Sequence, residues 1–380
     1  MYKENFMTSA ERFRSVWRDP AGYGRIVKQE TGRSILGFFC SYAPVELIYA
    51  AGILPVRLFG TRGEISLADT HLQSYCCSLV RGGLEDALKG NLDFLDGAVF
   101  PHTCDSIQRL SDIWRLNAGF AHHFDAVLPV QLNTQSARQY MIDVLSGFCR
   151  ELETAFGKQI RDADISAAIC EYNQIRKQLK ALYALRSQKP GLFEPSAVHW
   201  IMTAAMVMEP AAFLRDITAF LDQIGSSAGD AQQTGRKRLM LAGGICTQPD
   251  VYDLLARAGA DVVWDDLCTG ARYFEGTIAE DAKDPLAAVA DRYFSRSVCP
   301  AKHADITARG RHLVDAAREQ GADGVVFLQL KFCDPHAFDY PYLKQFLDSA
   351  QIPSLLIEIE DQPPPGEQLL TRLETFVDML

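Results

Sequence analysis

Two stretches of alternating strand and helix patterns flank a helical middle region, and this arrangement constrains the fold more than any other feature of the sequence. Short apolar runs typical of buried strands lie at residues 34–39, 54–59, 97–100 and 126–130, and again at 238–242, 261–264, 325–330 and 354–359. Strands that alternate with helical segments favour a parallel sheet with helices packed on it. The sequence therefore predicts an α/β fold with two Rossmann/flavodoxin-like parallel-sheet domains.

The middle third follows the period of an α-helix. Apolar residues recur there at three- and four-residue spacing, as at Met141, Leu145, Phe148, Leu152 and Phe156. Further helical patterns cover 165–185 and 196–224, and the small, polar segment 225–235 is typical of a linker. These boundaries predict an N-terminal α/β domain (1–135), a helical region with linker (136–235) and a C-terminal α/β domain (236–380).

Composition excludes several classes of protein. The formal net charge of -10 and the pI of about 5.3 argue against a nucleic-acid partner, which would require a basic surface. Residues 1–12 are polar and lack the apolar core of a secretory signal. No uninterrupted apolar run approaches the ~20 residues that a membrane helix needs. We therefore expect a cytoplasmic location and no membrane partner.

Cysteine is the chemically informative residue type. The chain has 10 cysteines, which in the reducing cytosol are expected to bind metal, to react or to be buried. No Cys-x-x-Cys occurs, which disfavours a zinc finger or a ferredoxin-type cluster. Cys40, Cys104, Cys246 and Cys333 each lie where a predicted strand ends, and the carboxyl ends of parallel strands meet at one edge. Converging thiolates select zinc or iron–sulfur centres; burial as small apolar side chains is the alternative.

The two α/β portions show a weak internal repeat. A strand ending in Cys40-Ser41 is followed by Pro44, a helix, a glycine and a further strand, and a strand ending in Cys246-Thr247 is followed by Pro249 and the same succession. Cys104 and Cys333 also correspond, because each follows a strand and precedes Asp. Chance similarity between two generic βαβ units is the alternative interpretation.

Several motifs together identify a family. The segment Gly37-Phe-Phe-Cys-Ser-Tyr-Ala-Pro-Val-Glu46, continuing to Pro55, is similar to the opening motif of the 2-hydroxyacyl-CoA dehydratase / benzoyl-CoA reductase subunits. Further matches are Cys77-Ser-Leu-Val-Arg81, Thr103-Cys-Asp105, Gly243-Gly-Ile-Cys246, Asp266-Leu-Cys-Thr-Gly270 and Leu328-Gln-Leu-Lys-Phe-Cys-Asp-Pro-His336. The likeness runs in family order from about residue 34 to the C-terminus.

The resemblance implies a 4Fe–4S cluster that is held by Cys77, Cys104 and Cys333. Cys77 is preferred because the Cys-Ser-x-Val-Arg string begins there, and Cys76 stays open as the alternative ligand. The other cysteines are interpreted as follows: Cys40, Cys246 and Cys268 as packing residues or neighbours of the cluster rather than ligands, Cys149 and Cys170 as core residues, and Cys299 without a role.

The resemblance also implies the chemistry. Three ligands leave one iron open for a thioester oxygen of an acyl-CoA substrate, which receives one electron. A dehydratase forms a ketyl radical anion, expels the 2-hydroxyl group and recycles the electron, whereas a reductase retains the electrons in an aromatic ring. Both require a separate ATP-dependent activator protein, and this chain has no Walker-type loop. Family members pair with a homologous second subunit or with themselves; a double-cubane cluster and a cluster-free scaffold remain alternatives.

Polar residues of these motifs are candidate helpers. Ser41 and Glu46 are candidate catalytic residues. The alternative for Glu46 is that its carboxylate, in the first turn of a helix, interacts favourably with the helix dipole. His102 precedes Cys104, and surface solvation or a loop hydrogen bond explains it more simply than catalysis. The basic residues that could bind coenzyme A phosphates are Arg81, Arg109, Arg115, Arg272 and Lys331. The Gly243-Gly244 turn lacks the full dinucleotide-binding pattern, so we do not expect a nucleotide there.

Overall fold

The computed structural model of the chain describes residues 7–61, 63–227, 235–246, 250–296, 299–305, 307–359 and 366–380. Within these ranges the chain is α/β. The strands are β1 (Ile35–Phe38), β2 (Leu54–Arg57), β3 (Gly97–Phe100), β4 (His122–Asp125), β5 (Lys237–Gly243), β6 (Ala260–Asp266), β7 (Gly324–Leu330) and β8 (Ser354–Ile359). The α-helices are α1 (Ser9–Arg18), α2 (Pro20–Thr31), α3 (Val45–Ala50), α4 (Ser78–Leu88), α5 (Asp105–Asn117), α6 (Gln135–Phe156), α7 (Asp162–Gln188), α8 (Ala197–Ala205), α9 (Pro210–Ser227), α10 (Asp250–Arg257), α11 (Ala271–Phe274), α12 (Pro285–Ser295), α13 (Ala308–Glu319), α14 (Asp334–Ser349) and α15 (Gly366–Asp378).

The first sheet has the order β2-β1-β3-β4, and all of its pairings are parallel. All residues of β1, β2 and β3 are buried, as expected for a parallel sheet that is covered on both faces. Gly97 permits the close approach of β4, since a Cβ atom there would lie 2.2 Å from the carbonyl oxygen of His122.

The second sheet repeats this plan with the order β6-β5-β7-β8, again fully parallel. The predicted class of two parallel-sheet units is confirmed. The shared strand order is the structural counterpart of the repeat seen in the sequence. Thr247 and Pro249, on which part of that repeat depends, lie outside the described residues.

The helical middle connects the two sheets through α7. On one side Arg176 forms a buried ion pair with Glu46 of α3. On the other side Tyr183 Oη donates to Asp265 Oδ2 of β6 at 2.7 Å. The third predicted helical stretch is two helices, α8 and α9, because Pro210 starts a new helix after a turn at 206–209. The start of the predicted linker, 225–227, continues α9, and 228–234 lie outside the described residues.

The strand predicted at 126–130 is wrong. The strand is β4, four residues earlier, where the polar sequence His122-His-Phe-Asp125 pairs only with β3 at the edge of the sheet. An edge strand is half exposed, so it lacks the continuous apolar signal of a central strand. The apolar run that follows it, 126–130, belongs to no strand, and within it the N–H group of Leu128 donates to the carbonyl oxygen of Ala126 at 2.9 Å.

The predicted domain boundaries stay a prediction. The apolar clusters show which segments of the chain pack together. Tyr273 and Phe274 of α11, together with Val289 and Tyr293 of α12, pack in the same apolar cluster as the first sheet. The second sheet packs in two smaller clusters of its own. None of the helices in the described ranges is long and apolar enough to cross a membrane.

Candidate functional site

The three cysteines predicted as cluster ligands share one structural position. Cys77 is the N-cap of α4, Cys104 is the N-cap of α5 and Cys333 is the N-cap of α14. At a helix N-terminus, free backbone N–H groups and the positive end of the helix dipole stabilise negative charge. This position lowers the cost of forming thiolates, which are the metal-binding form of cysteine.

Two of these N-caps follow an unusual backbone conformation. His102 has a φ of 35° and Phe332 a φ of 64°, and they precede Cys104 by two residues and Cys333 by one. They are two of the three non-glycine residues with positive φ in the described ranges. Such a conformation costs of order 1–3 kcal/mol and is concentrated at functional sites. In both halves of the chain it turns the backbone from the end of a strand into a helix that begins at the cysteine.

The three thiols lie within electrostatic range of one another. Burial, with a smaller contribution from the nearby Cys77, raises the pKa of Cys104 to about 12, although the N–H group of Ile107 acts in the opposite direction. Burial also raises the pKa of Cys333, and both Cys77 and Cys104 add to this effect. Without a metal, Cys104 and Cys333 therefore keep their protons at neutral pH, so metal binding there must release protons.

The spacing of the thiols does not suit a single metal ion. In the described ranges, no group of three or more His, Cys, Asp or Glu side chains is arranged to hold an ion. Sulfurs that bind one ion lie within roughly 4 Å of one another, because metal–sulfur bonds are about 2.3 Å long.

The neighbours of Cys76 differ from those of Cys77. Cys76 is part-exposed, its Sγ lies 4.0 Å from Gln73 Oε1, and the cation that acts on it is Arg81. Cys77 is buried and influences the pKa of both Cys104 and Cys333. This geometry favours Cys77 over Cys76 as the ligand.

A further pair of neighbouring thiols was not predicted from the sequence. Cys299, to which we assigned no role, shares a hydrogen bond with Cys268. This bond and the nearby Arg272 lower the pKa of Cys268, whereas the pKa of Cys299 is raised. Cys268 also acts electrostatically on Cys333, so the pair borders the predicted cluster site. A cysteine in a loop carries no periodic signal, so only the tertiary structure reveals this pairing.

The two candidate catalytic residues differ in accessibility. Ser41 lies part-exposed in the turn after Cys40. Glu46 is fully buried in its ion pair with Arg176. Burial raises the pKa of Glu46, but Arg176 and Arg292 lower it by more, so Glu46 stays a carboxylate. The ion pair of Glu46 with Arg176 therefore connects α3 to α7. A catalytic role for Glu46 or Ser41 stays a prediction.

A cleft of about 650 Å³ opens beside Cys104. Its volume is in the range of small-molecule sites. Its lining includes His102, Cys104, Lys302, His303, Arg309, Phe338 and Tyr342. His102 Nε2 lies 2.7 Å from Asp125 Oδ1, which also accepts a hydrogen bond from Ser111. The predicted loop hydrogen bond of His102 is therefore present, at the mouth of the cleft.

Most of the basic residues predicted for phosphate binding already have partners. Arg81 pairs with Asp69 at 2.8 Å, and Arg115 pairs with Asp112 at 3.3 Å. Arg272 is buried and pairs with Asp266 at 2.9 Å, so it is not available to coenzyme A phosphates. Arg109 is exposed and Lys331 is half-buried.

Comparison with known proteins gives the family. Residues 40–380 match the family described as 2-hydroxyglutaryl-CoA dehydratase, D-component. The chain belongs to this family. It is 28% identical over 368 residues to the (R)-phenyllactyl-CoA dehydratase beta subunit of Clostridium sporogenes, covering 97% of each chain. It is 26% identical to the lactoyl-CoA dehydratase subunit beta of Anaerotignum propionicum, covering 93% of each chain.

The chain is also similar to a subunit of a reductase. The chain is 27% identical over 362 residues to a benzoyl-CoA reductase subunit of Thauera aromatica, covering 92% of each chain. The resemblance drawn from the motifs is thereby confirmed, as is the expectation of an enzyme.

Proposed function

We propose that this protein is the iron–sulfur subunit of a 2-hydroxyacyl-CoA dehydratase, with Cys77, Cys104 and Cys333 holding a 4Fe–4S cluster. The observation that carries the proposal is the placement of these three thiols at three helix N-termini, within electrostatic range of one another. The dehydratase relatives, of which two are named above, support this reaction class.

The residues of the chain would have distinct tasks. When bound, the cluster would supply a single low-potential electron to the thioester carbonyl of an acyl-CoA. The three cysteines hold it, and the surrounding apolar residues limit its contact with water. The cleft beside Cys104 would admit the acyl thioester. His102, oriented by Asp125 at the mouth of that cleft, is placed to accept a proton from the substrate or return it.

The proposal includes two protein partners and a location. A homologous second subunit, or a second copy of this chain, would complete the enzyme, and the name "beta subunit" of the relatives supports an assembly of unlike subunits. A separate ATP-dependent activator would deliver the electron. Because oxygen destroys such clusters, the complex would work in the reducing, anaerobic cytoplasm.

The direct test is the iron and sulfide content after anaerobic purification or reconstitution. We expect four irons and four sulfides per chain, loss of both in Cys104→Ala, and retention in the control Cys149→Ala. Cys149 is a suitable control because it is a buried cysteine of α6 whose pKa burial also raises to about 12. A colourless, iron-free wild-type protein would refute the proposal and favour a cluster-free scaffold.

A benzoyl-CoA reductase subunit is the second candidate, since the likeness to the Thauera aromatica protein covers nearly the whole chain. Complexes with activator, ATP and a strong reductant should be supplied with 2-hydroxyacyl-CoA or with benzoyl-CoA. Formation of an enoyl-CoA without net reductant consumption would support the dehydratase. Reduction of the aromatic ring, with stoichiometric consumption of electrons, would contradict the dehydratase and support the reductase. About eight irons per chain would instead favour the double-cubane type.

A further inference from the structure

The interior next to the cysteines contains three cations that have no ion-pair partner among the residues that the structure describes. Arg57, Arg296 and Lys302 are 3%, 5% and 2% exposed. None of them forms an ion pair within the described ranges, in contrast to Arg176, Arg186, Arg272 and Arg309, which are paired with buried carboxylates. A buried charge without a partner is strongly unfavourable, because desolvation is not offset by a Coulomb interaction.

The hydrogen-bonding groups of two of these cations are also unused. Among the described residues, Nε and Nη1 of Arg57 have no hydrogen-bond partner, and neither does any of the three guanidinium nitrogens of Arg296. Lys302 Nζ donates only to the carbonyl oxygen of Leu128, at 3.1 Å. Buried donors of this kind are normally satisfied, so the site requires an acceptor that the described part of the chain does not provide.

Aromatic rings orient this cation group. The guanidinium of Arg296 lies 4.1 Å from the centre of the Tyr42 ring and 5.0 Å from that of Tyr293. Lys302 Nζ lies 6.0 Å from the Tyr42 ring. Cation–π contacts offset part of the desolvation cost, but they provide no negative charge. They fix the cations in place before any anion arrives.

The groups that these cations face include several thiols; Arg296 also lies within electrostatic range of Tyr42, Tyr293 and the carboxylate of Glu275. All three cations lie within electrostatic range of Cys40; Arg57 also faces Cys268, and Lys302 faces both Cys299 and the predicted ligand Cys104. Cys40 in turn acts on Cys104. Burial lowers the pKa of Arg57 and of Lys302, as expected for buried cations without an ion pair. Burial acts on Arg296 in the same direction, but Tyr42, Tyr293, Cys40 and Glu275 together raise its pKa. The cation group therefore borders the proposed cluster ligands.

We propose that Arg57, Arg296 and Lys302 form a cation cage whose missing counter-charge is the thiolate-ligated cluster, and that the cage stabilises the cluster's reduced state. This inference rests on the proposed function. A cubane with three thiolates is an anion, and reduction adds one further negative charge. At a separation of about 10 Å and an effective dielectric constant of about 20, one cation favours reduction roughly tenfold. The three residues are positioning residues, which act on the cluster through its electrostatic environment.

The test uses methionine in place of each cation, because methionine fills similar space without charge. Reconstituted Arg57→Met, Arg296→Met and Lys302→Met proteins should be titrated anaerobically, with the reduced cluster followed by electron paramagnetic resonance. We expect each midpoint potential to fall by the equivalent of about tenfold in the reduction equilibrium, which is about 59 mV for one electron. Arg57→Lys and Arg296→Lys should restore most of the loss.

The cluster-free proteins provide an independent readout. Removal of an uncompensated buried cation should raise the thermal midpoint of the apo protein, by about 2 °C. Arg186→Met is the matched control, since Arg186 is equally buried but paired with Asp265. Its removal should lower the midpoint instead. Loss of iron from a folded Met variant, with retention in the Lys variant, would also support the cage.

Failure of this inference is separable from failure of the proposed function. A wild-type chain that holds no cluster would refute the proposed function. A wild-type chain with a cluster, together with Met variants whose potentials and iron contents are unchanged, would overturn the cage alone. A Met variant whose apo protein is destabilised as strongly as Arg186→Met would overturn it as well, because that result would reveal a counter-charge within the protein.

Discussion

Cys76 and Cys77 are adjacent in the chain, yet their side chains have different surroundings. Cys77 caps α4 and faces two other N-cap cysteines, whereas Cys76 faces Gln73 and Arg81. The motif in the sequence favoured Cys77 but left the choice open. The choice depends on where α4 begins, and that boundary is a property of the folded chain.

This difference makes a pair of matched variants informative. We predict that Cys77→Ala loses the iron and sulfide of the anaerobically reconstituted protein, because the cluster loses one of three ligands. Cys76→Ala should retain them. The measurement is the iron and sulfide content per chain, with circular dichroism to confirm folding. Equal loss in both variants, or loss in Cys76→Ala alone, would contradict the assignment.

Glu46 allows a prediction about stability and pH. In Glu46→Gln, Arg176 is left buried without its carboxylate, which should cost about 3–5 kcal/mol of unfolding free energy. Because the folded-state pKa of Glu46 lies below its ordinary value, the ion pair contributes fully above the unfolded pKa of about 4.3. The contribution is lost as the pH falls through the folded-state pKa.

Denaturant unfolding between pH 7 and pH 3 measures both effects. The wild-type chain should lose stability on acidification more steeply than Glu46→Gln, so that the gap between them narrows at low pH. A constant gap would show that Glu46 contributes through packing rather than through its charge.

At the scale of elements, apolar periodicity identified the buried strands but not the exposed edge. The central strand β3 was predicted at its observed bounds because all four of its residues are buried. The edge strand β4 was missed because its exposed positions are polar, and the break between α8 and α9 was missed because the apolar pattern continues across it. The left-handed residues His102 and Phe332 could not be predicted, since nothing in the local sequence marks either position for this uncommon conformation.

The close packing of β3 and β4 leads to a prediction at this scale. Gly97→Ala should destabilise the protein by about 1–3 kcal/mol, because the added Cβ would meet the carbonyl oxygen of His122 at 2.2 Å, where no flexible side chain can yield. Gly147→Ala is the control, since Gly147 lies within α6 and a Cβ there meets only Arg150 Nη2 at 3.8 Å.

Chemical denaturation of the two alanine variants checks this prediction. The control should be stabilised by up to about 1 kcal/mol, because alanine favours the helix. If Gly97→Ala is as stable as the wild type, β3 and β4 can move apart without a loss of unfolding free energy, and the prediction is wrong.

The whole molecule joins two similar halves at the proposed site. Cys77 and Cys104 belong to the half with the first sheet, whereas Cys333 follows β7 of the second sheet and packs against apolar clusters of both. The sequence predicted the two sheets, because each leaves its own periodic pattern. It could not show that α11 and α12 pack on the first half, or that cations without an ion pair among the described residues lie beside the cysteines, since both depend on long-range contacts.

A cluster that joins the two halves should stabilise the whole chain. We predict that the reconstituted protein unfolds at a higher temperature than the apo protein, in one cooperative transition, because the ligand binds only the folded state. Anaerobic calorimetry measures this difference. In Cys149→Ala the difference should persist, and in Cys333→Ala it should vanish. Equal midpoints for the apo and reconstituted wild-type proteins would place any bound cluster away from the junction.

The central claim is that three N-cap thiols hold one iron–sulfur cluster. Anaerobic crystals of the reconstituted protein, measured on both sides of the iron absorption edge, test it most directly. We predict a compact four-iron anomalous peak within bonding distance of the sulfurs of Cys77, Cys104 and Cys333. An iron peak bound by other residues, or no peak in protein whose three thiols are intact, would contradict the account.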